Sequence, residues 1–321
     1  MPTTSSASSP RELWRRAWSL SPILAVSTVV MLLGTVLSAA GLVLDPRQLL
    51  GEPLWLKPAK FYISLAIYDA TVLYFLGFLS ERRRFVRAVG AVLSVCGGLE
   101  MVAITLQAAR GVRSHFNVAT AFDGLIFSSM GLAIMVLWVT MMVLGVALLR
   151  AKVADRPLAS ALRVGLVVSV VGMGLGFFMT SPRAEQIAQL KEGHRSEAGS
   201  HTIGGKDGGP GLPLVGWSTT AGDMRPAHFL GLHAMQGLPL LAALVAWRRR
   251  SSEARRLATV RAVGVAWLGL TLACALQALR GLPIVHWDSV GVASLALVLV
   301  VSVLTFVASQ ARQREPVIAA T

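Results

Sequence analysis

The chain has 321 residues, 54% of them hydrophobic and only 14% charged, with a mean hydropathy of +0.64 and a net charge of +14. Soluble domains carry roughly a quarter charged residues, so the composition excludes an ordinary soluble globular fold. The basic excess does not indicate nucleic acid either, because its clusters are short, lack an aromatic-rich RNA motif and fall between apolar runs.

In chain order, residues 1–18 read as a polar tail ending in a basic segment, RELWRR. No small-residue cleavage site closes the first apolar run, so no cleaved signal peptide is expected. Eight apolar runs follow, near residues 21–44, 59–79, 86–109, 124–149, 158–180, 227–247, 258–279 and 289–309. Each is long enough to cross about 30 Å of hydrocarbon as a helix. The expected fold is therefore an all-α integral membrane protein with eight transmembrane helices. Nineteen of the 30 Lys and Arg lie before span one, around the connections between spans two and three, four and five, and six and seven, including the adjoining span starts, or after span eight. Arg249, Arg250 and Arg314 are among them. In an eight-span plan these positions share one side, which the positive-inside rule makes cytoplasmic, with both termini inside. Cys96 and Cys274 lie within spans three and seven, as small packing residues rather than a disulfide.

The sequence repeats itself. Lys57-Pro58-Ala59-Lys60-Phe61 matches Arg225-Pro226-Ala227-His228-Phe229 at an offset of 168. VRAVG recurs from Val86 at Val260 (offset 174), LQAxRG from Leu106 at Leu276 (offset 170), and His115-Phe116 is echoed by His286-Trp287 (offset 171). Four matches in one order point to a duplicated four-helix unit, residues 19–150 and 151–310, before a tail at 311–321. An even number of spans per copy makes this a parallel repeat. Small residues such as Gly97, Gly98, Gly172, Gly174 and Gly176 are expected to let helices approach closely. Pro58 and Pro226 suit a first helical turn, and Gly111 and Gly281 suit helix ends.

Apart from VRAVG, the repeated polar residues fall on the outer side. Copy one supplies Lys57, Lys60, Gln107, Arg110, Arg113, His115, Asn117 and Asp123; copy two supplies Asp223, Arg225, His228, His233, Gln236, Gln277, Arg280, His286 and Asp288. Gln107 and Arg110, like Gln277 and Arg280, are three apart and share a helix face. Such a face suits an anionic ligand, or arginines that snorkel to the interface. His228 and His286 both fall in first turns and are placed to hold a haem iron or another metal axially, with Arg225 and Arg280 on the propionates. Interfacial histidines without a cofactor are the alternative. His233, about 7.5 Å deeper than His228, faces another direction, and Gln236 is placed to orient its ring. Lys60 stands where His228 stands, so copy one reads as a cationic site for an acidic group.

Asp69 lies about 18 Å of helix beyond Lys57, and Glu100 about 15 Å before Arg110. Intramembrane acids are functional candidates, here for a proton relay, or neutral groups bonding between helices. The loop at 181–224 is long enough to be a cap over copy two, with a short helix AEQIAQLKE stopped by Gly193. Its HTIGGKDGGP stretch lacks GxxxxGK[ST] and is not a phosphate loop. Trp55 and Trp217 read as interfacial anchors.

The plan of two parallel four-helix bundles with histidines at outer helix ends resembles haem A synthase. The resemblance implies ligand roles for His115, His228 and His286, although the chain reads RPAHFLG where that family has ExxHR. The strings WLKPAKF, QAARGVRSHFN and GDMRPAHFLGLHAMQ resemble a family of bacterial multi-pass membrane proteins, which implies a bacterial cytoplasmic membrane location. Three functions stay open: a haem-binding redox or haem-modifying protein, a transporter or sensor of an anionic solute coupled through Asp69 or Glu100, and a non-catalytic partner of a membrane complex. No serine or cysteine nucleophile sits in a recognisable setting.

Overall fold

The computed structural model of the chain describes residues 9–194, 196–248 and 251–312. Arg249, Arg250 and Arg314 of the charge pattern lie outside the described residues, as do tail residues 1–8 and 313–321. Among the described residues the architecture is helical, with two short antiparallel ladders in its connections, and the contacts divide into two units, Met1–Ala151 and Lys152–Thr321.

The first unit contains α1 (Pro10–Leu20), α2 (Pro22–Leu44), α3 (Leu56–Leu76), α4 (Arg83–Ala109) and α5 (Ala121–Leu149). Three of these starts carry a side-chain cap. Ser9 and Glu12 form a reciprocal capping box on α1, Ser21 caps α2 ahead of Pro22, and Thr120 caps α5. Gly111, at φ +71, reverses the chain after α4. That left-handed conformation is one that a Cβ disfavours. The α2 and α3 helices pack side by side, and α4 joins them to α5. A Cβ at Gly34 would lie 2.3 Å from the Tyr62 ring, so the glycine admits that ring between α2 and α3. Met31, Ala66, Met101, Ile104 and Met130 form the core beneath the site described below. A two-residue ladder, β1 (Gln48–Leu49) with β2 (Glu52–Pro53), closes the α2–α3 connection.

The second unit contains α6 (Arg156–Leu175), the one-turn α7 (Phe177–Thr180), α8 (Ala184–Lys191), α9 (Arg225–Leu232), α10 (Ala234–Trp247), α11 (Glu253–Leu279) and α12 (Ser289–Ala311). Asp155, Ser252 and Asp288 cap α6, α11 and α12. The sixth expected span is broken: α9 and α10 meet at His233 with a bend of 44°. Backbone crowding and side-chain capping both hold the break. Gly231 packs so closely on α6 that a Cβ there would lie 2.5 Å from Gly172 Cα. Trp267 Nε1 donates to Leu230 O (2.7 Å) and Ser169 Oγ to Leu232 O (3.1 Å). Hydropathy is blind to such a break, because the residues on both sides are apolar.

The 181–224 loop folds as a cap on this unit. Its strands β3 (Thr202–Ile203) and β4 (Gly222–Asp223) pair and pack on α11. Ile203 joins Met224, Ala227, Ala275 and Ala278 in one apolar cluster. The carboxylate of Asp207 accepts from Ser200 Oγ (2.7 Å), Thr202 Oγ1 (2.9 Å) and the backbone N–H groups of His201 and Thr202. Burial opposes its ionisation, but the adjacent His201 ring and these donors hold Asp207 well below the usual carboxylate range. Arg183 ties the cap's start to Gly205 O (2.6 Å) and Ser200 Oγ (2.8 Å).

Among the described residues seven helices are long and apolar enough to cross a membrane, or eight if the bent α9–α10 pair is one span. Their outward faces are apolar: Leu37 on α2 is 71% exposed and Leu299 on α12 is 66%. Exposed hydrocarbon on so many helix positions suits lipid rather than water. The architecture is that of a multi-pass membrane protein.

Candidate functional site

The polar centre of the first unit forms because the loop between α4 and α5 folds back into it. Gly111 turns the chain, and Phe116, at φ +65 and 1% exposed, plugs the bundle edge-on to Phe127 with ring centroids 5.8 Å apart. This return carries His115 inward to Glu100 on α4 and Lys57 on α3. Lys57 Nζ lies 3.0 Å from His115 Nδ1, and His115 Nε2 lies 3.3 Å from Glu100 Oε1. Ser114 Oγ is also 3.2 Å from Nδ1.

This geometry assigns the proton. A lysine ammonium only donates, so Nδ1 accepts from Lys57 and the neutral ring carries its hydrogen on Nε2, facing Glu100. Burial pushes the His115 pKa down, and Lys57 and Arg113 push it further, while Glu100 opposes them. The other Glu100 oxygen, Oε2, is buried with no hydrogen-bond partner. A buried carboxylate oxygen without a donor is costly, which marks this atom as a place for a proton or a ligand donor.

A second cluster closes the same end of the unit. Asp123, buried in the first turn of α5, accepts from Arg110 Nη1 (2.6 Å), Gln107 Nε2 (2.9 Å) and Thr120 Oγ1 (2.6 Å). Arg110 Nη1 also donates to Gln107 Oε1. Lys60 lies 3.8 Å from Glu52, and Asn117 Nδ2 donates to Arg113 O (3.2 Å), holding the loop's form. On the other stretch of α3, Asp69 is buried and accepts from Ser27 Oγ at 2.6 Å. Between these levels Tyr62 bonds Thr105 (3.0 Å), and the buried Tyr68 hydroxyl has no partner.

The second unit uses its polar residues differently. Arg225 makes a fork to Asp223, with Nη2 at 2.6 Å from Oδ2, and reaches Gly216 O. Arg280 makes a fork to Asp288 at 2.8 and 2.5 Å. Both guanidiniums expected to hold propionates are thus set against carboxylates. His228 Nδ1 bonds Gly172 O at 2.7 Å, whereas His286 is exposed and its carbonyl accepts from Gln277 Nε2 at 2.6 Å. Gln277 Oε1 is buried without a partner. His233 occupies an exposed position at the helix break. The Gln236 amide, in its satisfied orientation, donates to Leu232 O (3.3 Å) and His233 O (3.2 Å), so it serves the backbone of the break. Among the described residues no group of three or more His, Cys, Asp or Glu is arranged to hold a metal ion, and Cys96 and Cys274 are free thiols.

Sequence reasoning passed over the clasp at the α2–α3 connection. Asp45 accepts from Arg47 Nη2 (2.7 Å) and Trp55 Nε1 (2.8 Å), and Arg47 Nη1 reaches Ala109 O (3.2 Å) at the end of α4. Arg47, then Trp55, hold the Asp45 carboxyl well below its ordinary range. The signal was the Asp-Pro-Arg string: a proline-stiffened turn brings an acid and a base two residues apart into register. Ser27 and Thr105 gave no comparable signal in an apolar run. No protein-family model matches the chain, and no curated protein or solved structure is significantly similar to it.

Proposed function

We propose that this chain is a transporter or sensor of a small anionic solute whose first unit handles a proton through Lys57, His115 and Glu100. The observation that carries the reading is the buried Glu100 carboxylate, paired to His115 on one oxygen and unpartnered on the other. A group so placed exchanges a proton with its neighbour when solute or pH changes the local charge. Lys57 and Arg113 supply the positive field that draws an acidic solute to this end of the unit, while Arg110 is engaged by Asp123. Asp69, bonded to Ser27, is the second acid of the relay.

The same reading places the protein in a bacterial cytoplasmic membrane with both termini inside, on the distribution of its arginines, and derives it from a duplicated four-helix unit. Each unit sets an arginine at the end of its penultimate helix against an aspartate at the start of its last, Arg110 with Asp123 and Arg280 with Asp288, which supports common descent. The test is solute-induced thermal stabilisation of purified protein, with inorganic phosphate and a panel of small carboxylates, at pH 6 and pH 7.5. Stabilisation that depends on pH in the wild type and loses that dependence in Glu100→Gln supports the reading. Identical pH dependence in the two proteins rejects it.

A haem held by His228 and His286 is the second reading. The bond from His228 Nδ1 to Gly172 O favours it, because metal-ligating imidazoles are commonly oriented through their other nitrogen. Against it, Arg225 and Arg280, the residues that would hold propionates, are engaged by Asp223 and Asp288. Bound haem would supply redox chemistry, and an absorption spectrum after expression with ample haem decides: a Soret band that His228→Ala removes supports this reading, and its lack in the wild type ends it.

A further inference from the structure

We infer that α1 is a docking site for an anionic phospholipid surface, independent of the centre in the bundle. The helix is 11 residues long, about 16 Å, too short to cross a bilayer, yet it is built to persist. Ser9 and Glu12 close its N-terminus reciprocally, with Ser9 N donating to Glu12 Oε2 at 3.0 Å. One residue, Ser21, separates it from the first long apolar helix, so α1 is held where hydrocarbon meets water.

Its two faces differ. Leu13, Trp14 and Trp18 recur at helical spacing and are 56%, 43% and 46% exposed. The two indoles lie 5.6 Å apart, and a shallow cleft runs among Trp14, Arg15 and Trp18. Arg11, Arg15 and Arg16 are exposed on the adjoining arc, with Arg15 at the edge of that cleft. Indole at the level of the headgroups and guanidinium on phosphate are what an interfacial helix presents to lipid.

The neighbouring turn adds to the charge. Ser21 Oγ lies 2.2 Å from where a Cβ of Gly90 would stand, and Leu20 Cδ1 lies 4.0 Å from the corresponding point at Gly77. The end of α1 therefore sits beside the α3–α4 turn, where Arg82, Arg83 and Arg84 are also exposed. Arg11, Arg15 and Arg16 join Arg82, Arg83, Arg84 and Arg87 around α1 and the α3–α4 turn, against two glutamates, Glu12 and Glu81, of which Glu12 is engaged in the cap. Charge complementarity selects phosphate-bearing lipid, and the exposed indoles select a membrane surface over a free anion.

The experiment is hydrogen exchange of the α1 amides in full-length protein in nanodiscs of phosphatidylcholine, with and without phosphatidylglycerol. Phosphatidylglycerol is expected to slow exchange about fivefold for each arginine it engages. Replacing Arg11, Arg15 and Arg16 together by Gln removes the slowing, while exchange in α3 and α4 stays as in the wild type and reports an intact bundle. Trp14→Ala with Trp18→Ala speeds exchange in both lipids. Equal exchange in the two lipids overturns the inference, and so does slowing that survives the arginine replacements. Slowing by free inorganic phosphate or a short RNA to the same degree as by phosphatidylglycerol also overturns it.

Discussion

The Nε2 nitrogen of His115 lies 3.3 Å from Oε1 of Glu100, although one residue belongs to a loop and the other to the interior of a long apolar helix. The pair exists because the chain turns at Gly111 and drives Phe116 into the bundle, so the loop is part of the core rather than a connection over it. Glu100→Ala leaves the imidazole N–H without its acceptor. The expected cost is about 2 kcal/mol, with Glu100→Gln losing less, because an amide oxygen still accepts. Thermal unfolding in detergent separates the two.

The same centre predicts a pH dependence. The folded-state pKa of His115 is lowered by burial, then by Lys57 and Arg113, with Glu100 opposing. The unfolded chain thus takes up this proton first on acidification, and stability is complete above the ordinary value of about 6.5. It declines as the pH falls from there towards the lowered folded value and then levels. Lys57→Met lifts the folded pKa and narrows that window, and His115→Asn removes it. The check is the unfolding midpoint across this range in each variant.

Asp123 tests the next layer. It is buried and accepts from three side chains, so Arg110→Ala leaves Gln107 and Thr120 as donors but removes the counter-charge, at a cost of about 2 kcal/mol. Arg280→Ala, which breaks the solvent-facing pair with Asp288, destabilises less, since exposed ion pairs are screened. Comparing the two melting shifts in one buffer decides the order.

Two glycines in the second unit are expected to be intolerant. At Gly172 or Gly231 a new Cβ meets backbone at 2.6 or 2.5 Å, which no side-chain movement relieves. Gly172→Ala and Gly231→Ala should each cost about 3 kcal/mol or prevent accumulation of folded protein. Gly98→Ala and Gly124→Ala, with nothing within 4 Å of the added methyl, should fall within about 0.5 kcal/mol of the wild type.

The cap offers a proteolytic test. Arg183 joins its start to Gly205 and Ser200, and Arg183→Ala removes about 2 kcal/mol of charge-assisted bonding. Limited digestion should then cut within residues 184–210 at least roughly tenfold faster, with the helical fragments intact.

Span positions were legible in the sequence because hydrocarbon thickness imposes a length that hydropathy reports directly. Run ends were read late at the starts of α3, α4 and α11, where Lys57, Arg83 and Arg255 are helical but polar. The pairing of Gln107 with Arg110 followed from helical spacing, yet its third member, Asp123, needed the fold. His115 with Glu100 was illegible, since no periodicity relates a loop to a helix interior. The break at His233 was hidden because Gly231, Ser169 and Trp267, the residues that shape it, read as ordinary members of apolar runs. The α1 segment showed its arginines in the sequence but not the capping box's consequence, a formed helix with both tryptophans exposed.

At the break itself, the carbonyls released by interrupting the helix are capped by Ser169 from α6 and Trp267 from α11. Straightening the span would strip both acceptors of their donors inside a medium that offers no water in exchange. The kink is therefore a keystone rather than a pivot: α6, α9 and α11 are obliged to travel as one block. Rearrangement of this half of the protein is easiest at its periphery, where α12 packs chiefly on α11.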